Sequence, residues 1–221
     1  MKLELRSRLV DSPASLGAAL RLRRWEMFTA LFPDIADMKV LDVGGTAESW
    51  LRAPVRPGHV VVLNLNDPGD CDEGWLTPVT GDACTARTAL ERAAAPMAYD
   101  LVFSNSLLEH VGGHAQRVRL AAEIQQAAPL HWVQTPYRYF PVEPHWLFPG
   151  MQFLPMALRA RVAERWPLVH TLPASRAEAM ADVQWTELIG MTEMHAYFPE
   201  SRILRERVLG MTKSMIAVRT R

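Results

Sequence analysis

The run Val40-Leu41-Asp42-Val43-Gly44-Gly45-Thr46 constrains this chain most, because an apolar stretch ends in a carboxylate and turns at once through two glycines. Glycine carries no β-carbon, so a strand that stops in this way brings backbone N–H groups close to a small ligand. The segment reads as the loop beneath a cofactor. It is not the G-x-G-x-x-G of nicotinamide enzymes, since Glu48 and Ser49 stand where a third glycine is needed.

Further strand ends follow in order. Val60-Val61-Val62-Leu63-Asn64-Leu65-Asn66 is a β-branched run about 20 residues on, where such folds carry a ribose-reading side chain, here Asn64. Gly81-Asp82-Ala83 comes next, then Tyr99-Asp100-Leu101-Val102-Phe103-Ser104-Asn105, again closed by small polar residues. Helical patterns over 47–53, 85–95 and 107–128, the last interrupted at Gly112-Gly113, alternate with these strands and with a fifth over 130–135. That alternation predicts a parallel, doubly wound α/β sheet.

These motifs resemble the class I S-adenosylmethionine-dependent methyltransferases, from residue 38 to the C-terminus. The resemblance implies a Rossmann-like, seven-stranded, mostly parallel sheet with helices on both faces, an N-terminal helix and an insertion between strands 5 and 6. It implies S-adenosyl-L-methionine as cofactor, with Asp42, Gly44, Gly45 and Thr46 under the methionine part and Ser104 or Asn105 beside it. Asn64 falls on the ribose hydroxyls, and Asp82 with Ala83 on the adenine. A carboxylate is usual where Asn64 stands; an amide donates as well as accepts, so ribose binding is expected to be shared with Asn66 or Asp67.

The 221 residues suit one α/β domain over 1–221. Residues 1–37 read as a helical cap: Leu16, Ala19, Leu20, Leu22, Trp25, Phe28 and Leu31 recur at helical spacing before Pro33, predicting a helix over 15–31. Arg23, Arg24 and Trp25 could cover the cofactor mouth, but the plainer expectation is a core tryptophan and two solvated arginines. Residues 136–185 read as an acceptor-side insertion with a helix over 156–166. A strand over 191–198, a helix over 201–209 stopped by Gly210 and a strand over 214–218 are expected to close the chain. The apolar residues Phe148, Met151, Phe153, Leu154 and Met156 are core by default, with a lid, a lipid-facing patch or a homodimer contact as alternatives.

Lysine plus arginine equals aspartate plus glutamate, 24 each, which disfavours nucleic acid and favours a small-molecule or oligosaccharide acceptor. Cys71 and Cys84 have no metal-ligand spacing, and a reducing cytoplasm is the simplest setting for them. No run approaches the roughly 18 apolar residues of a membrane span, so a soluble, cytoplasmic protein is expected.

Two segments carry chemistry away from the strand ends. Ser104 to His110 leaves the fourth strand, and Thr135-Pro136-Tyr137-Arg138-Tyr139-Phe140-Pro141-Val142-Glu143-Pro144-His145-Trp146 leaves the fifth. Methyl transfer to a hydroxyl needs acceptor and donor in line and a base for the proton. His145 is the candidate base, with Glu143 orienting it and Tyr137 as a further catalytic candidate; Arg138, Tyr139, His110 and Trp146 are candidates for acceptor binding. Glu109, Glu143 and a histidine offer ligands for a divalent ion, and magnesium is the ion considered, although hard cations prefer oxygen. Trp132, Trp146, Trp166 and Trp185 would form a sugar-stacking wall or pack in the core. The second segment is similar to sugar O-methyltransferases of mycobacterial polysaccharide assembly, including the 1-O-methyltransferases of methylmannose polysaccharide biosynthesis, which implies a saccharide hydroxyl. The alternatives are N-, C- or O-methylation of another metabolite or a lipid-like quinone, and a non-catalytic cofactor-binding regulatory subunit.

Overall fold

The computed structural model describes Ser12, residues 15–169 and residues 172–221. The charged start at Met1–Arg6 and part of the expected 1–37 cap lie outside the described residues.

Five parallel strands form the centre: β1 (Lys39–Val43), β2 (His59–Asn64), β3 (Leu76–Thr80), β4 (Leu101–Asn105) and β5 (Leu130–Pro136). Their near-continuous apolar runs suit strands buried on both faces. Val60 to Leu63 of β2 are fully buried, each worth about 1.5–3 kcal/mol relative to an exposed side chain. Helix α1 (Leu16–Leu31) starts where the Ser15 hydroxyl accepts from the Ala18 N–H. The short α2 (Ala47–Leu51) follows the glycine loop, and Thr46 caps it by accepting from Ser49. Helices α3 (Ala86–Arg92) and α4 (His114–Ala127) complete the crossovers.

Beyond β5 the chain makes a two-stranded ribbon, β6 (Val142–Glu143) with β7 (Phe148–Pro149), then α5 (Met156–Arg165), α6 (Arg176–Trp185) and α7 (Met191–Tyr197). Trp146, Met151, Ala163, Val169, Ala179 and Val183 pack here as a small separate core, with Phe148 and Leu154 against it. Phe153 and Met156 stay exposed.

The expected close of the chain is corrected. Residues 191–197 form helix α7, because Met191, Met194 and Tyr197 recur at helical spacing and turn onto the sheet. Arg202–Val208 is strand β8, joined to β9 (Met211–Arg219) by Leu209 and Gly210, both at positive φ. Two such residues make the tight turn that matches strand twist, so Gly210 turns a hairpin and does not stop a helix. β9 pairs antiparallel with β5, and the sheet order is β3-β2-β1-β4-β5-β9-β8. The fold is therefore the expected seven-stranded, mostly parallel sheet with helices on both faces.

One face carries Leu41, Val43, Leu63 and Val102 against Leu120, Ile124 and Met194; the other carries Val40, Val62, Phe103 and Trp132 against Phe28, Phe32 and Trp50. Strand order reverses between β1 and β4. In open α/β sheets ligands bind beyond the strand ends at such a switch.

Candidate active site

At the end of β1, Asp42 is buried and its Oδ2 accepts from Trp50 Nε1 at 2.7 Å, while Oδ1 has no partner among the described residues. Burial pushes this carboxyl up to about 7, against the opposing pull of the Trp50 hydrogen bond. Gly44 follows at φ +86°, with the Leu107 side chain 2.8 Å from where a β-carbon would lie.

Two cavities meet at Gly44. One, of about 510 Å³, is lined by Trp25, Asp42, Gly45, Thr46, Phe103 and Asn105 among others. The second, of about 520 Å³, is lined by Asn64, Asn66, Asp82, Ala83, His110 and Trp185 among others. Each is the size of a small-ligand site, and together they gather most of the residues expected to hold the cofactor.

Two of those expectations change. Asn64 Nδ2 donates to the Gly45 carbonyl at 2.8 Å and, more weakly, to that of Gly44, while its Oδ1 accepts from the Asn66 N–H. The amide braces the glycine loop, and its donor capacity is not spare for a ribose. Ser104 is fully buried and its hydroxyl donates to the Val43 carbonyl at 3.3 Å, so it staples β4 to β1 and offers nothing to a ligand. Asp82 accepts through Oδ1 from the Cys84 N–H and caps the turn that carries Ala83.

Arg24 is not a solvated arginine. Its Nε and Nη2 donate to the two oxygens of Glu206 at 2.8 Å each, and its Nη1 donates to Asn105 Oδ1 at 2.6 Å. Trp25 stacks parallel on Phe103, ring centroids 5.6 Å apart, and walls the same cavity. Arg23 remains exposed.

The two loops with reactive side chains converge. Thr135, at the end of β5, donates to Glu109 Oε2 at 2.9 Å, while Glu109 Oε1 has no hydrogen-bond partner among the described residues and lies 3.9 Å from His145 Nε2. His145 Nδ1 is 2.6 Å from Glu143 Oε1, and Glu143 Oε2 accepts from the backbone N–H groups of His145 and Trp146. His110 Nε2 is 3.0 Å from His145 Nε2. Burial, then the neighbouring His145, lowers His110 to about 4, and burial raises Glu109 above the usual carboxylate range.

Tyr137, Arg138 and Tyr139 stand outside this hydrogen-bonded cluster. The Tyr137 and Arg138 N–H groups bond to the carbonyls of Lys213 and Ile189, and Tyr139 is exposed against Phe153. Trp146 is 6% exposed inside the small separate core, so it packs and offers no acceptor surface. The expected tryptophan wall does not form: Trp132 is fully buried, Trp166 packs on Phe148, and Trp185 alone of the four is exposed. Magnesium also fits poorly, since both oxygens of Glu143 are engaged and the remaining donors are mostly nitrogen. Both cysteines are free, and among the described residues no helix is long and apolar enough to cross a membrane.

Trp50, Thr135, Leu107 and Glu206 escaped the sequence reading. Only Thr135 left a signal, as a polar residue at the end of an apolar strand; the others act through contacts distant in sequence or through an ordinary helix position.

No protein-family model and no curated protein matches the sequence. Solved structures do match in fold. A SAM-dependent methyltransferase from Anabaena variabilis aligns with TM-score 0.56 and 11% identity over 96% of this chain and 87% of that one. A SAM-dependent methyltransferase from Archaeoglobus fulgidus gives 0.54 and 10% over 91% and 94%. The N-terminal domain of EvdMO1, solved with SAH and D-fucose, gives 0.50 and 16% over 90% and 82%. The chain has the fold that these three structures share.

Proposed function

We propose that the protein is an S-adenosylmethionine-dependent methyltransferase that acts on a hydroxyl of a small polar acceptor. The observation that carries this reading is the buried, half-satisfied Asp42 carboxylate beside two glycines, at the point where two ligand-sized cavities meet on the β1–β4 switch. The residues fit the cofactor. Asp42 Oδ1 offers a buried acceptor to an ammonium group, the glycine loop leaves its backbone approachable, and Asp82 with Ala83 offers polar groups to an adenine edge. Of Asn64, Asn66 and Asp67, expected to share the ribose, Asn66 takes the larger part, since the Asn64 amide is bonded to the glycine loop.

Bound there, S-adenosylmethionine would supply a sulfonium methyl for in-line displacement. The chain's own part is to exclude water with Trp25 and Phe103, to hold the cavity mouth through Arg24 and Asn105, and to receive the acceptor's proton. That last task falls to Glu109, His110, Glu143 and His145 as a unit, which adds Glu109 and His110 to the expected pair of His145 and Glu143 and leaves Tyr137 outside it. A saccharide is the first acceptor class to screen. It is supported by the sequence of the 135–146 loop and by EvdMO1, a fold relative solved with D-fucose; the methylmannose polysaccharide route rests on the loop alone.

Calorimetric titration of S-adenosylhomocysteine tests the reading, with Asp82→Ala alongside. Micromolar binding that weakens in the variant is the expected result, and no binding to the unmodified protein would overturn it.

A further inference from the structure

The carboxylates and imidazoles of the cluster are arranged as ligands with their own supports. Glu109 is completely buried, one oxygen is held by Thr135, and the other points at the two histidines without a hydrogen bond among the described residues. His145 turns its Nδ1 to Glu143 and its Nε2 to His110. The Nε2 atoms of the two imidazoles lie 3.0 Å from one another, close enough for one ion to take both as ligands. One ligand atom from each of Glu109, His110 and His145 lies within 4.8 Å of the others.

We propose that Glu109, His110 and His145 bind one borderline divalent transition cation, of the Mn2+, Fe2+, Co2+ or Zn2+ kind. Nitrogen donors about 2.1 Å from an ion and 3.0 Å apart subtend about 90° at it, the angle between neighbouring positions of an octahedron. Two histidines and one carboxylate are a donor set for such ions and leave positions open, whereas magnesium prefers oxygen throughout. Glu143 is the outer carboxylate that fixes the tautomer of a ligating histidine. The positive ion also neutralises the Glu109 charge that burial otherwise disfavours. The site stands without the methyltransferase reading. Where both hold, a hydroxyl bound to the ion loses its proton more readily, and His145 is a ligand and not the free base.

The test is calorimetric titration of Zn2+, and of Co2+ followed by its visible absorption, into chelator-treated full-length protein, with S-adenosylhomocysteine titrated separately. One ion per chain is expected, with affinity at least about 100-fold weaker in His110→Ala and His145→Ala and about 10–100-fold weaker in Glu143→Gln. Glu109→Gln keeps the side-chain shape and is expected to weaken binding with an unchanged circular dichroism spectrum. Failure to bind Co2+ or Zn2+ stoichiometrically, binding that survives loss of both histidines, or tighter binding of Mg2+ than of Co2+ would each overturn the proposal. Metal binding without S-adenosylhomocysteine binding would sustain this site and sink the methyltransferase reading; the converse would do the reverse.

Discussion

Gly45 stands so close to Asp42 that a β-carbon on it would lie 1.8 Å from carboxylate oxygen Oδ2. That oxygen is the one bonded to Trp50, so any side chain at 45 must push the Asp42 carboxylate off its only hydrogen bond among the described residues. Gly45 is thus required by the carboxylate as much as by a ligand, and Gly44 by the Leu107 side chain.

Gly45→Ala is therefore expected to melt several degrees below the unmodified protein and to bind S-adenosylhomocysteine at least about tenfold more weakly, since 1.4 kcal/mol of lost contact already gives that factor. Calorimetry and a thermal melt read the two effects. Undiminished affinity would remove the loop from the cofactor site.

Asp42 gives the protein a pH signature. Its carboxyl titrates near 7 in the fold against 3.8 for the ordinary group, so between those values the folded chain holds a proton that the unfolded chain has lost. Stability from this group is full below about pH 4 and is lost as pH rises towards 7. Relative to Asp42→Asn, which stays neutral, the unmodified ligand-free protein should lose roughly 4 kcal/mol between pH 4 and pH 8. Parallel denaturant melts of the two proteins would show it, and a difference constant across that range would contradict it.

His145→Ala should cut turnover by roughly 10²–10⁴-fold, whether the imidazole takes the acceptor's proton or holds an ion that acidifies the hydroxyl, while the Kd for S-adenosylhomocysteine stays within about threefold. Single-turnover kinetics beside calorimetry separates the two. An equal loss of both would make His145 a structural residue.

Arg117 is buried inside α4, donates to the Leu108 carbonyl and to the Glu187 backbone, and pairs with the Glu187 carboxylate at 2.5 Å. It pins the turn that presents Glu109 and His110, and Glu187 in turn donates its N–H to the Glu109 carbonyl. Arg117→Met is expected to cost about 2 kcal/mol, because the Leu108 and Glu187 carbonyls lose their donor, while the Glu187 carboxylate, with 56% of its side chain exposed, adds little. Urea unfolding measures this, and a loss under about 0.5 kcal/mol would refute the pinning role.

The central strands were legible because their sequences are redundant: Val60-Val61-Val62-Leu63 can hardly be anything but a strand buried on both faces. The chain's close was misread because Arg202–Val208 carries charges at spacings that suit a helix as well as an edge strand, and Gly210 ends either. Only the pairing with β9 decides between them. The E-H and E-P-H segments were visible as reactive residues, but 35 positions separate His110 from His145, and nothing in their spacing says that the ends of β4 and β5 bring them face to face. Asn64 and Ser104 illustrate the opposite error. Polar residues at strand ends read as ligands, yet the backbone carbonyls beside them claimed their donors first.

Arg24 ties the N-terminal helix to an edge strand nearly two hundred residues away, and Glu206 on that strand is almost sealed from water, with 8% of its side chain exposed. Lifting α1 from the cavity mouth strips this carboxylate of its counter-ion. The entrance is thus latched by the C-terminal hairpin, and a chain whose hairpin has not yet docked on β5 has no latch. The closed form of this cavity thus depends on the last strands of the chain, although most of its lining comes from residues up to Asn105.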